Sequence, residues 1–162
     1  MAYENSPFIR RIFVIISMIF GSRFIKFLSF FFVVFFVAHG IALYSFLYWK
    51  LSWLDVIMHL LGGALVAATM VWWVYFSGKL SLPPLSSFFT LTLILGAVAL
   101  VGVLWEFFEF LVDKLITQKN YIDLLQPGVI DIMKDLLMDL LGGLAIGFLF
   151  LYERKKRTKK QD

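Results

Sequence analysis

The chain has 162 residues, 61% of them hydrophobic and 16% charged, with a net charge of +4 and a mean hydropathy of +0.88. Such a composition lies outside the soluble range, so the solvent for most of the chain is lipid, and no soluble domain large enough to work apart from a bilayer is expected. With no cysteine, disulfides, thiolate metal sites and a cysteine nucleophile are excluded.

Residues 1–26 read as an N-terminal segment with an interfacial amphipathic helix. The run Phe8 to Phe20 follows Ser6-Pro7, is too short to span unaided, and carries Arg10 and Arg11. It imitates a signal peptide, but no small-residue cleavage site follows and Arg23 and Lys26 come instead, so it belongs to the mature protein. A helix crossing about 30 Å of hydrocarbon needs roughly 20 apolar residues. Four segments meet that length, at 27–48, 54–77, 88–112 and 130–152, and together they make residues 27–152 the membrane domain. The fourth pattern runs back to about Val129, just after the breaker Pro127-Gly128. Ser81-Leu-Pro-Pro84 is a short turn, Asp113 to Ile130 one substantial loop, and Tyr121 to Leu125 a candidate surface helix within it. Residues 153–162 form a basic tail. The phenylalanine-rich stretch Phe27 to Phe36 reads as lipid-facing bulk, and the five tryptophans as interface anchors and packing.

Four spans put both termini on one side. That side holds Arg10, Arg11, Arg23, Lys26, Lys79 and six basic residues of the tail, against Lys50, Lys114, Lys119 and Lys134 opposite, a split of 11 to 4. Cytoplasmic flanks accumulate Lys and Arg, so both termini are expected in the cytoplasm of an inner-membrane protein. A short polybasic segment directly after an apolar helix suits an anionic leaflet, and nucleic acid is not the expected partner.

Eight of the eleven acids fall between Asp55 and Asp139, all in the outer half of this topology. Asp55 and His59 lie four apart and lead into Gly62-Gly63. Glu106, Glu109 and Asp113 continue the small residues Ala99 and Gly102. Asp131, Asp135 and Asp139 lead into Gly142, Gly143 and Gly147. Small residues let transmembrane helices approach closely, so the three stripes should face one another inside a bundle. At 1.5 Å per residue, His59, Glu106 and Asp135 lie about 26–27 Å from the cytoplasmic ends of their spans, and Asp55, Glu109 and Asp131 about 32–33 Å. His39 and Asp139 fall deeper, at about 18 and 20 Å, and are expected to pair.

Carboxylates crowded in low dielectric must be protonated, matched by cations or bound to a metal. Carboxylate oxygen with imidazole nitrogen suits Zn, Mn or Fe, and helical bundles build such sites from inward Glu and His. The expected ligands are His59, Glu106, Glu109 and Asp135, with Asp55, Asp131, His39 and Asp139 behind them; Glu106 and Asp135 are the candidate catalytic groups. The bland reading is that the acids pair with Lys50, Lys114 and Lys134, or form a polar network for packing. No P-loop, dinucleotide fingerprint, G-x-S-x-G elbow or H-E-x-x-H occurs.

The ordered set L-D-V-I-M-H-L-L-G-G (54–63), W-E-F-F-E-F (105–110) and D-I-M-K-D-L-L-M-D-L-L-G-G (131–143) resembles the YjdF group of bacterial inner-membrane proteins. More distantly it looks like the VanZ-like family, from which it departs at Val56 and Asp139, where that plan has Lys and Asn. The VanZ likeness implies a cell-envelope role linked to glycopeptide resistance; the YjdF likeness implies a membrane protein without an assigned reaction. Three function classes fit. One is a metal-assisted hydrolase or transferase on an envelope lipid-linked substrate. Another is a structural or accessory subunit. The last is an ion or proton transporter, against which stands the lack of ionisable residues in the inner halves of spans two and three.

Overall fold

A computed structural model describes residues 7–80, 85–117, 125–126 and 128–158, with side chains over 22–80, 85–115, 125–126 and 128–156. The expected turn at 81–84 and the surface helix at 121–124 lie outside the described residues. Helix α1 is Pro7–Tyr44, α2 is Leu47–Lys50, α3 is Ser52–Val71, α4 is Ser87–Val112 and α5 is Val129–Thr158. α3 and α4 each run on through one wider π turn, Trp72–Phe76 and Asp113–Thr117. Among the described residues four stretches are long and apolar enough to cross a membrane: Ser22–Tyr44, Ser52–Phe76, Ser87–Leu115 and Val129–Lys156. The chain is an all-α polytopic membrane protein, and its last span begins at Val129, directly behind the Pro-Gly breaker, as the helical pattern predicts.

The N-terminal helix differs from expectation. Instead of a separate element over 8–20, one unbroken helix of 38 residues carries the chain from Pro7 into the first span. Gly21 is the weakest helix former at the junction, and a lone glycine costs a helix only about 1 kcal/mol, so nothing there stops it. At 1.5 Å per residue this helix is about 57 Å long, nearly twice the hydrocarbon thickness, so its N-terminal part projects beyond the bilayer core. At the far end Phe46 adopts a left-handed conformation, φ 55° and ψ 33°, and folds the short α2 back over the bundle.

Glycine sets the packing of the other helices. A Cβ on Gly142 would lie 2.0 Å from the Leu60 carbonyl oxygen, and one on Gly143 would lie 2.9 Å from a Val98 methyl. α3 and α5 therefore meet backbone to backbone, with α4 set against both, as the small-residue stripes predict. Ala67, Val71, Ile94 and Val98 form the buried core on the basic side of this crossing. α1 is the loosest member. It packs on α3, the π turn after α3, and α2, while its Phe27, Phe30, Phe31 and Phe36 face outward.

Candidate functional site

The acidic stripes converge at the end of the bundle opposite the basic flanks. His59, Glu106, Glu109, Asp113, Asp135 and Asp139 are all buried, and Asp55 and Asp131 are half-buried. Each owes its place to a helix register already visible as spacing: the ionisable residues of α3, α4 and α5 recur every three or four residues and turn to the faces that glycine brings together.

His59 is the hub. Its Nδ1 faces Asp139 Oδ2 at 3.4 Å, and its Nε2 faces Asp55 Oδ1 at 3.7 Å. Asp139 reaches it through a chamber left by glycine. A Cβ on Gly102 would stand 2.7 Å from Asp139 Oδ2, and one on Gly62 would stand 3.8 Å from Oδ1. Potential ligand atoms lie within 4.8 Å of one another in two groups, Asp55, His59 and Asp135, and His59, Glu106 and Glu109. All four expected ligands thus belong to one or the other group, but not to a single set. Asp55 and Asp139, expected behind them, touch His59 directly.

The surroundings of the two groups differ. Lys134 Nζ bonds to Asp131 Oδ1 and stands 3.5 Å from Asp135 Oδ1 and 3.7 Å from Asp55 Oδ2. Asp131 is thereby drawn to the lysine one helical turn along and away from the imidazole. In the other group, Trp105 Nε1 donates to Glu109 Oε1 at 2.9 Å. Gln126 Nε2 donates to Glu106 Oε2 and, at 2.8 Å, to the Glu106 carbonyl oxygen. Glu106 Oε1 and Asp135 Oδ1 are buried and accept no hydrogen bond among the described residues. An unmet buried carboxylate oxygen is costly and calls for a cation, a proton or an ordered water.

The expected pair of His39 with Asp139 does not form. His39 Nδ1 instead meets the Tyr48 hydroxyl at 2.6 Å, and its ring stands edge-on to Trp105 with centroids 5.1 Å apart. The two side chains line one cleft, but the backbone of α1 packs on α3 and not on α5, and Asp139 is enclosed by the glycines of α3 and α4. Tyr48 lies outside the spans, and burial, aided by the Asp55 and Glu109 carboxylates, pushes its hydroxyl above the ordinary tyrosine value.

Three contributors were given no role in the site by sequence reasoning, although Asp113 was placed on the same stripe as Glu106 and Glu109. Asp113 accepts from the backbone N–H groups of Leu125 at 2.8 Å and Gln126 at 2.9 Å, which pins the end of the long loop over the site. Gln126 itself is the second, and no local pattern marks it. The third is Trp105, read as an anchor; its four-residue spacing to Glu109 was the available signal.

A family model described as a predicted membrane protein, DUF2238, matches residues 1–157. The chain belongs to this family. It is the YjdF group of the motif resemblance, and the match extends that likeness from spans two to four to nearly the whole length. No curated protein and no solved structure is similar enough to this family member to match it.

Proposed function

We propose that this DUF2238 protein holds one divalent cation, Zn, Mn or Fe, at His59, Glu106 and Glu109, and uses it for hydrolase or transferase chemistry on an envelope lipid-linked substrate. The observation that carries the reading is Glu106 Oε1, buried without a hydrogen bond beside an imidazole and a second carboxylate at ligand spacing. The 11 to 4 split of basic residues supports an inner-membrane orientation with cytoplasmic termini and the site near the outer leaflet. The VanZ-like motif order points to the same compartment.

The chain's own groups divide the work. Asp139 accepts from His59 Nδ1 and leaves Nε2 for the cation, the carboxylate–histidine arrangement that fixes ring orientation at metal sites. Gln126 and Trp105 orient the two glutamates by donating to one oxygen of each. A cation bound there would polarise a substrate oxygen and lower the pKa of water. Asp135, whose Oδ1 accepts no hydrogen bond, would take a proton in competition with the Lys134 ammonium 3.5 Å away.

A second reading has its own observation. Lys134 pairs with Asp55, Asp131 and Asp135 at once, as a purely structural ion-pair network would. The metal content of tag-free, detergent-purified protein separates the two. Near-stoichiometric divalent metal in the wild type, lost in His59→Ala and Glu106→Gln with helicity intact, is expected. A well-folded wild type that retains no metal leaves the structural network.

A further inference from the structure

The site has a side entrance. Among the described residues α1 and α4 do not approach each other along their backbones, although both pack on α3. At the acidic end they meet through side chains, where His39 stands on Trp105 and holds Tyr48. Below that contact a cleft of about 110 Å³ opens between them. Its walls near mid-bilayer are Phe32, Phe36, Val98 and Val101, and its acidic end is lined by Asp55, His59 and Glu109. Phe36 is 52% and Val101 42% exposed, so the mouth faces the hydrocarbon and not water.

We infer that the cleft between α1 and α4 is a lateral portal that admits a lipid with a phosphoryl head from the bilayer. Polarity along the cleft runs as it does along an outer-leaflet lipid, tail toward mid-membrane and head toward the acidic end. Space for a water-sized group takes about 10–15 Å³ by the same measure, so the cleft accommodates a head group's reacting end while the tail stays between the helices. The phosphoryl assignment rests on the metal reading above. Asp55, Glu109 and Asp139 line the cleft and would repel an anion unless a divalent cation presented it with a hard-oxygen position. The aromatic contact closes the outward end, so arrival is from the side.

The test is photolabelling in phosphatidylcholine vesicles containing phosphatidic acid with a mid-chain diazirine, mapped by mass spectrometry and run beside a metal assay on the same protein. Labelling of Phe36 and Val101 is expected to exceed severalfold that of Leu100 and Leu104, residues of α4 outside the cleft that are at least as exposed. Val101→Trp, which fills the mouth, should bring the remaining cleft positions down to the Leu100 level. Equal labelling inside and outside the cleft of the wild type overturns the portal. Enrichment in protein that holds no metal upholds the portal and overturns the metal site, and uniform labelling of protein that holds metal does the reverse.

Discussion

Gly63 and Asp139 meet backbone to backbone: a methyl group on Gly63 would fall 2.0 Å from the Asp139 carbonyl oxygen. No side-chain rotation relieves such a clash, so α3 and α5 must separate where His59 and Asp139 face each other. Gly63→Ala should lower the Tm in detergent by the equivalent of about 1–3 kcal/mol, the range for overpacking. Gly96, with open space around its Cβ direction, is the control, and Gly96→Ala should leave the Tm in place. Matching melting curves for the two variants would refute the close crossing.

Asp139→Asn keeps the volume of the side chain inside its glycine chamber but removes the charge that fixes the His59 ring. Loss of an orienting carboxylate behind a metal-binding histidine weakens binding about 10–100-fold. Metal titration of stripped protein should show this fall with helicity unchanged. An unaltered affinity would mean that His59 is positioned by other means.

Asp113 holds the loop end through two backbone N–H groups. Hydrogen bonds to a charged acceptor contribute about 1.5–3 kcal/mol each, so Asp113→Ala should release the amides of Leu125 and Gln126. Hydrogen exchange at these two positions is expected to accelerate by an order of magnitude or more, on the scale of about 1.4 kcal/mol per tenfold. The Gln126 contact to Glu106 should be lost with them. Protection equal to wild type would place the anchor elsewhere.

Tyr48 gives a pH signature. Its hydroxyl titrates above the free value of 10.0, so the folded protein keeps the proton where the unfolded chain has begun to lose it. Stability from this group is complete below pH 10 and declines as pH rises through the folded value. A difference ultraviolet titration of wild type against Tyr48→Phe should show no tyrosinate from this position at pH 10, whereas a free tyrosine would be half ionised.

Much of this arrangement was legible because a helix turns spacing into direction. The i, i+4 step from Asp55 to His59 and the four-residue ladder of Asp131, Asp135 and Asp139 specified their faces, and the adjoining glycines specified what those faces met. Depth along the helix axis was a weaker guide. It grouped His59 with Glu106 and Asp135, which fall into two ligand groups that share only His59, and it matched His39 with Asp139, which line one cleft without pairing. Rise per residue carries no information about azimuth between helices of unknown order. The contribution of Gln126 was out of reach for another reason: its position depends on a loop closed by Asp113 across twelve residues, with no periodic pattern to mark it.

His59 is common to both ligand groups, and each of its two nitrogens already faces a carboxylate. The two groups share one imidazole and are not independent sites. A binding isotherm for any divalent ion should saturate at one equivalent per chain, and an ion held with Asp55 and Asp135 would have to displace the Lys134 ammonium that already bridges them. If the proposed cation binds, the lysine would act as a tethered competitor that biases occupancy toward the glutamate side.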